Sequence, residues 1–297
     1  EGTDTVIRYE DLKITREGAV ILVDKVIRGQ NIHRQAQDAK AGEVLLEPGT
    51  MISAAETALL SSVGLSRLDV LDFPKTAIIS SGDELVDIDT KPESHQVRRS
   101  NSYAVHASMK SMQWPGSIFH LPDNREFLES SLSAILADHQ VMILSGGISK
   151  GKFDFIPEVL EAIGVQKLVR EVSQRPGKPF WFGATKDHKV VFALPGNPVS
   201  TFMCFHRYIK PWLLKSFGLP RRDLKVILAA DLTFEPRLTY FLQVRVSNDE
   251  GKLMAYPHAG GGSGDFANLK NVDGFLELPM EKSVFKAGEV YPFIPFR

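Results

Sequence analysis

Four short polar motifs each follow an apolar run of strand length, and their residue types suit the binding of anions and metal ions. The motifs are Ser80-Ser81-Gly82-Asp83-Glu84, Pro122-Asp123, Ser145-Gly146-Gly147-Ile148-Ser149 and Leu194-Pro195-Gly196-Asn197-Pro198. Ligands of open α/β sheets bind outside the carboxyl ends of the strands. We therefore expect these motifs to form one composite site.

Acidic residues in or beside these motifs are candidate metal ligands, because hard divalent cations prefer carboxylate oxygens. Asp83 and Glu84 follow the first strand, and each could instead cap a helix or face water. Asp123 occupies a helix N-cap position with an acidic residue three positions later, which is a capping pattern. Asp154, just beyond the third motif, could also cap the helix that follows. The sequence leaves metal binding and helix capping open.

Two segments could bind an oxyanion. Ser145-Gly146-Gly147 places backbone N–H groups close together before a helix, although a tight strand-to-helix turn also needs glycine. Arg175 and Lys178 flank the turn Pro176-Gly177. Arginine binds an oxyanion through two parallel hydrogen bonds and lysine acts as a point charge, but the segment could equally be a basic surface turn.

The fourth motif combines constrained backbone with an asparagine at a helix start. Its structural alternative is a strand ended by Pro195 and a helix capped by Asn197. The single cysteine, Cys204, excludes an intrachain disulfide and any site with several cysteines, and its apolar neighbours predict a buried structural thiol. The eight histidines lack the spacing of a zinc site.

The elements that position these motifs alternate between strand and helix. Apolar runs predict strands at 76–79, 117–121, 141–144 and 190–194, and helical patterns occur at 102–112, 155–163 and 198–217. A further helix is predicted to bury one face, formed by Phe127, Leu128, Leu132, Ile135 and Leu136. This alternation predicts a central three-layer α/β/α domain, residues 74–219, with a mostly parallel sheet covered on both faces.

The flanking segments differ in character. Residues 1–73 combine short β-like runs with a helix that begins after Ser53, where Glu56 completes a capping box. This partial α+β region is too small and irregular to fold alone, and we expect it to be the tail of a larger region. Residues 220–297 predict a small β domain, in which the alternation at 241–246 indicates a half-buried strand before the glycine cluster 260–264.

Composition narrows the class of protein. With 35 basic and 36 acidic residues the net charge is −1, so no basic field favours nucleic acid or a membrane surface. No apolar run approaches the ~20 residues that span a bilayer, and the first residues lack a secretory pattern. A cytoplasmic protein is expected. The start at Glu1 rather than methionine suggests a beginning inside a longer protein.

Taken in order, the motifs resemble the molybdopterin molybdenumtransferase family, which includes MoeA and the gephyrin E domain. The segments that carry the resemblance are 80–85, Ser100-Asn101-Ser102, 145–151, Asp154, Pro176-Gly177-Lys178-Pro179 and 194–200. Outside the α/β domain it extends to Asn31-Ile32-His33-Arg34, to 237–241 and to Gly262-Ser263-Gly264. On the family plan about 100 residues would precede Glu1.

The resemblance implies a reaction. Members bind adenylylated molybdopterin, hydrolyse its adenylyl group with Mg²⁺ and insert molybdate at the dithiolene sulfurs. It implies Asp83, Asp123 and Asp154 near the metal and phosphates, and Lys178 and Arg175 on the oxyanion. The implied pterin and nucleotide contacts are Ser81, Gly82, Ser145, Gly146, Gly147, Ser149, Pro195, Gly196, Asn197 and Ser200. It also implies a homodimer, with molybdopterin adenylyltransferase and apo molybdoenzymes as partners.

Several residues depart from the family pattern. Ser81 replaces a common threonine and Arg175 a common lysine, while Lys152 and Arg98-Arg99 replace acidic and more apolar residues. These differences keep open a catalytically impaired molybdopterin-binding or scaffold paralogue. A molybdopterin adenylyltransferase is a further alternative, although the long extensions on both sides of the α/β domain argue against it.

Overall fold

The computed structural model describes residues 2–148, 155–219, 223–258 and 260–297. The chain divides into two compact units, Glu1–Ser66 and Arg67–Arg297. Ser149, Lys152 and Asp154, named above as candidates or departures, lie outside the described residues. Within the described ranges, no helix is long and apolar enough to cross a membrane.

The first unit contains a short 3₁₀ helix (Tyr9–Asp11), two paired strands and one α-helix. Strands β1 (Leu12–Thr15) and β2 (Gly18–Ile21) form an antiparallel hairpin, and helix α1 spans Ala54–Ser62. Both hydrogen bonds of the predicted capping box are present, between Ser53 and Glu56. Every side chain from residue 2 to 66 is at least partly exposed, so this unit has no buried core of its own. Its place in a larger region stays a prediction.

The second unit contains two six-stranded sheets. Its first elements are β3 (Thr76–Ser81), β4 (Leu85–Val86), β5 (Val97–Arg98), α2 (Ser100–Lys110), β6 (Gly116–Leu121), α3 (Arg125–Asp138), β7 (Val141–Ser145) and α4 (Ile156–Ala162). There follow β8 (Gln166–Glu171), β9 (Gln174–Arg175), β10 (Pro179–Ala184), β11 (Val190–Leu194), α5 (Pro198–Cys204), a π-helical segment (Phe205–Ile209) and α6 (Lys210–Ser216). The last strands are β12 (Lys225–Leu228), β13 (Leu232–Thr233), β14 (Thr239–Asp249), β15 (Lys252–Pro257), β16 (Gly274–Leu278), β17 (Val284–Phe285) and β18 (Val290–Pro295).

The first sheet has the order β6-β3-β7-β11-β10-β8. The pairings among its first four strands are parallel, whereas β10 pairs antiparallel with both β11 and β8. Ile78 packs on one face with residues of α2 and α5, and Ala77 and Ile79 pack on the other with residues of α3 and α4. The predicted three-layer α/β/α architecture with a mostly parallel sheet is therefore confirmed.

Helix α3 differs from the prediction at one residue. Leu128, Leu132, Ile135 and Leu136 are buried as expected, but Phe127 is 48% exposed. Phe127 lies one residue before Leu128 on a helix that turns about 100° per residue, so its side chain leaves the buried stripe. The predicted inward position of Phe127 is wrong.

The second sheet has the order β15-β12-β18-β16-β14-β9. Four consecutive residues of its long strand β14, 241–244, are buried, so both faces of the strand are covered there. Phe241 joins the core of the α/β layer, while Leu242 and Val244 join the core of the β region. The predicted half-buried strand is wrong over these residues, because β14 lies between two cores.

Candidate functional site

The four strand-end motifs meet at one edge of the first sheet, as the parallel pairing requires. A cavity of about 620 Å³ opens there. The predicted site residues that border it are Ser81, Asp123, Gly146, Gly147, Arg175, Lys178, Pro195, Gly196, Asn197 and Ser200. A second cavity of about 390 Å³ shares several of these residues and is bordered by Ser145. Gly82 and Asp83 border neither cavity.

Hydrogen bonds join the ends of β3 and β6. The Ser81 hydroxyl donates to Asp123 Oδ1 at 2.6 Å, and the Asp123 backbone N–H donates to Asp83 Oδ1 at 3.0 Å. Asp83 is exposed and contacts the backbone of Asp123. Its neighbour Glu84 borders both cavities.

The residue that caps helix α3 is Asn124. Its Oδ1 accepts the backbone N–H of Phe127 at 3.0 Å. The predicted capping role of Asp123 is therefore wrong by one residue, and the physical reason is that Asn124 supplies the oxygen that the helix start requires. The Asp123 carboxylate is left beside the cavity.

This arrangement permits a test of whether a divalent cation fits. The described parts of the chain contain no cluster of three or more acidic, histidine or cysteine side chains suited to a metal ion. Two carboxylates, Glu84 and Asp123, border the cavity. Mg²⁺ typically keeps several waters and binds through one or two carboxylates together with substrate phosphates. The donor set fits a cation that arrives with a phosphate-bearing substrate.

Gly146 brings the loops after β3 and β7 into backbone contact. Its φ is +95°, and a Cβ at this position would lie 2.5 Å from the Ser81 carbonyl oxygen. Its N–H donates to the Leu194 carbonyl at 3.2 Å, which joins the loop after β11 as well. Only glycine tolerates both this conformation and this approach.

The turn that carries the two cations rests on a buried glutamine. Gln174 is 1% exposed, and its Nε2 donates to the Gly177 carbonyl at 2.9 Å. Its Oε1 accepts a hydrogen bond from the Tyr208 hydroxyl in the π-helical segment. Gly177 has a φ of +86°, and a Cβ there would lie 2.8 Å from Cys204 Sγ. The turn is therefore packed directly on the helical layer.

Arg175 is positioned by the second sheet. Strand β9 pairs in parallel with β14, which places Arg175 opposite Tyr240. The guanidinium carbon lies 5.9 Å from the centre of the Phe234 ring, and Phe234 stacks on Tyr240 with centroids 4.1 Å apart. Burial raises the pKa of Tyr240, so this phenol stays neutral near pH 7.

The motif after β11 contacts the glycine cluster. Asn197 occupies the N-cap position of α5, but its side chain makes no capping bond; its Nδ2 donates to Ser263 Oγ at 2.9 Å. The Val199 N–H donates to the Ser263 carbonyl, and Asn101 Nδ2 donates to the Gly196 carbonyl at 2.7 Å. The alternative of a side-chain cap at Asn197 is wrong, because the amide instead attaches the glycine cluster to the cavity.

The cavity also contains residues for which the sequence analysis assigned no role. Gln174, Leu238, Tyr240 and Gln243 border it, and each lies in or just before a strand of the second sheet. Gln174 directly precedes the basic turn, residues 175–178. Gln243 is a polar residue within an apolar strand. These two features are visible in the sequence, but neither indicates that the second sheet contributes residues to the cavity.

The chemistry that this arrangement permits is the binding of a multiply anionic substrate. Arg175 and Lys178 border the cavity as cations, and Glu84 and Asp123 border it as carboxylates. Cys204 is fully buried, and burial raises the pKa of its thiol to about 12. As predicted, it is a structural thiol, and its protonated form is not a nucleophile.

Comparison with known proteins covers nearly the whole chain. Residues 1–64 match the MoeA N-terminal region (domain I and II), 77–215 a probable molybdopterin binding domain, and 225–296 the MoeA C-terminal region (domain IV). A molybdopterin molybdenumtransferase of Synechocystis is 38% identical over 99% of this chain and 74% of its own length. One from Haemophilus influenzae is 29% identical over 100% of this chain and 74% of its own length. The solved MoeA structure from Pyrococcus horikoshii OT3 is 25% identical, with a TM-score of 0.79 over 99% of this chain and 72% of its own.

Proposed function

The chain belongs to the molybdopterin molybdenumtransferase family, and we propose that it inserts molybdenum into adenylylated molybdopterin with release of AMP, giving molybdenum cofactor. The observation that carries this proposal is the shared cavity of Arg175, Lys178 and Asp123. Two cations suit an oxyanion, and a carboxylate suits the cation that accompanies phosphates.

Mg²⁺ is the proposed cofactor. We assign Asp123 to it, together with Asp83 and Asp154 as the family resemblance implies; Asp83 supports Asp123 through the backbone hydrogen bond described above. Mg²⁺ bound there would neutralise phosphate charge and lower the pKa of a bound water, which is what cleavage of a phosphoanhydride needs. The Ser81 hydroxyl orients the Asp123 carboxylate for this purpose.

Molybdate is assigned to the basic turn and the organic substrate to the remaining walls. Arg175 and Lys178 bind the oxyanion, because both cationic residues border the cavity. Gly146 and Gly147 are assigned to the phosphates, with Gly147 as the backbone N–H donor because the Gly146 N–H already donates to the Leu194 carbonyl. Residues 195–200 are assigned to the pterin end. No protein nucleophile is required, because the sulfurs that receive molybdenum belong to the pterin.

The proposal extends to the partners of the chain. We assign a homodimer, with molybdopterin adenylyltransferase and apo molybdoenzymes as transient partners, and a cytoplasmic location. Exposed apolar side chains in the first unit, among them Tyr9, Val44 and Met51, support contact with further protein surface.

The test is cofactor formation by the purified chain with adenylylated molybdopterin, Mg²⁺ and molybdate, read by reconstitution of an apo molybdoenzyme. Lys178→Ala is expected to raise the KM for molybdate by about tenfold or more, since a charge-assisted contact contributes roughly 1.5–3 kcal/mol. Lys186→Ala removes an exposed lysine outside the cavity and is expected to change nothing. Binding of the pterin without cofactor formation would instead favour the scaffold alternative.

A further inference from the structure

A buried glutamine lies where the second sheet borders the cavity. Gln243 is 8% exposed and Phe241, two residues earlier on the same face of β14, is 2% exposed. Phe241 packs in the α/β core with Val199 and Met203. A carboxamide on a strand face that otherwise packs against apolar side chains is costly unless its polar atoms are satisfied.

The orientation of this carboxamide is fixed by its neighbours. Asn268 Nδ2 donates to the His258 carbonyl at 2.8 Å and to Gln243 Oε1 at 3.0 Å. Because a backbone carbonyl can only accept, the Asn268 nitrogen must point toward both oxygens. Gln243 therefore presents its oxygen to Asn268 and keeps its nitrogen for another partner.

Asn268 itself is anchored to the glycine cluster. Asp265 Oδ1 accepts the Asn268 N–H at 3.3 Å, and Asp265 Oδ2 accepts the Gly261 N–H at 2.8 Å. The loop that carries Ser263 and the strand that carries Gln243 are thus connected, and both border the cavity.

Within the part of the chain that the structure describes, the hydrogen bond of the Gln243 side chain is made by Oε1, while the side chain borders the cavity. The Gln243 nitrogen is not among the fully buried polar atoms that lack a partner, so water or a ligand in the cavity can accept a hydrogen bond from it. Phe241, Val199 and Ser263 also border the cavity, and none of these three side chains carries a charge. A neutral donor beside apolar surface suits a planar organic group with carbonyl or ring-nitrogen acceptors rather than an oxyanion.

We propose that Gln243 determines substrate specificity by donating a hydrogen bond from Nε2 to an acceptor on the pterin ring, while Asn268 positions it. This assignment rests on the proposed function and extends the substrate contacts to β14. It separates the two substrates in the cavity: the basic turn binds molybdate, and the carboxamide binds the heterocycle.

The test compares Gln243→Leu with wild type in two measurements. The first is the equilibrium dissociation constant of adenylylated molybdopterin, followed by pterin fluorescence without molybdate. The second is the KM for molybdate at saturating pterin. Loss of one neutral hydrogen bond is expected to raise the dissociation constant of the pterin about three- to tenfold and to leave the KM for molybdate unchanged. Gln166→Leu, at an exposed strand position outside the cavity, is the matched control.

Gln243→Glu covers the case in which the leucine variant does not fold. It keeps the size of the side chain and an oxygen for Asn268, but it replaces the donor with a negative charge. We expect weaker pterin binding than in Gln243→Leu, and a cooperative thermal unfolding curve checks that the variant is folded.

Unchanged pterin binding in a folded Gln243 variant would overturn the assignment, as would a rise in the molybdate KM alone. If the wild-type chain does not bind the adenylylated pterin, the proposed function fails, and this inference fails with it. If wild type binds and the variants bind equally, only the role of Gln243 is rejected.

Discussion

Gly146 is the residue at which three strand-end loops come into backbone contact. Gly146→Ala adds a Cβ 2.5 Å from the Ser81 carbonyl oxygen at a φ of +95°. Gly164→Ala is a matched control, because Gly164 has a φ of +92° but nothing within 4 Å of an added Cβ. We expect the control to cost about 1 kcal/mol of unfolding free energy and Gly146→Ala to cost at least about 1 kcal/mol more.

Chemical denaturation gives both values, and cofactor formation should fall only in Gly146→Ala. Equal losses of stability would mean that the conformation of Gly146, rather than its contact with Ser81, determines the effect.

His206 predicts the direction of a pH effect on stability. The ring is 5% exposed, and burial, aided by the charge of Lys210, lowers its pKa to about 3. In the unfolded chain the pKa is about 6.5, so between these values the unfolded state binds more protons. The contribution of His206 to the unfolding free energy is therefore complete above pH 6.5 and decreases as the pH falls.

Between pH 6.5 and 5, the unfolding free energy of wild type should decrease by about 2 kcal/mol more than that of His206→Phe. The phenylalanine ring of this variant preserves an aromatic contact for Phe202 and Phe296. His95→Phe changes an exposed position, and its unfolding free energy should depend on pH with the same slope as that of wild type. Parallel slopes for wild type and His206→Phe would show that His206 is accessible to protons in the folded state.

Many of the cavity residues were predictable from the sequence, because residue type and position after a strand are local properties. Ser81, Asp123 and Asn197 border the cavity as the strand-end argument requires, and so do Arg175 and Lys178 of the predicted basic turn. Side-chain partners were less predictable. The capping residue is Asn124 rather than Asp123, and Asn197 binds Ser263, since competition among neighbouring hydrogen-bond groups depends on geometry that spacing does not encode.

At the scale of elements, the basic turn depends on the π-helical segment beneath it. Tyr208→Phe removes the hydroxyl that donates to Gln174 Oε1. A buried acceptor then loses its partner, and we expect a loss of about 1–2 kcal/mol of unfolding free energy. Because Gln174 also binds the Gly177 carbonyl, the KM for molybdate should rise a few-fold while kcat changes little.

Tyr256→Phe is the control for this variant, because it removes the hydroxyl of an exposed tyrosine that donates to Asp249, and neither residue borders the cavity. A molybdate KM equal to that of wild type in Tyr208→Phe would indicate that the turn keeps its position without Gln174.

The four parallel strands were predictable because each is an apolar run that sequence periodicity reveals. The antiparallel strands β8 and β10 were not. All six residues of β8 are exposed, so no buried face marks it, and the two-residue strand β9 exists only through its pairing with β14. Long-range pairing of this kind leaves little local signal.

An ion pair between Arg207 and Glu277 links the helical layer to the second sheet. Arg207 Nη2 lies 2.9 Å from Glu277 Oε1, and the two side chains are 25% and 21% exposed. Glu277→Ala leaves the arginine charge partly buried without its partner, and we expect a loss of roughly 1–3 kcal/mol.

The comparison is Asp231→Ala, which removes a pair with Lys286 whose side chains are 58% and 62% exposed. That loss should be clearly smaller than the loss in Glu277→Ala, because solvent screens the exposed pair. Equal effects in urea denaturation would argue against a role for Glu277 in joining the two sheets.

The short strand β9 has a consequence for recombining relatives of this protein. Gln174 and Arg175 belong to the α/β part of the chain, yet they form the edge strand of the carboxy-terminal sheet. A chimera with a crossover near residue 220 would join one parent's basic turn, residues 175–178, to the other parent's β14. Functional hybrids should therefore require residues 174–178 and the carboxy-terminal region to be inherited from the same parent, even though they are more than 40 positions apart in the chain.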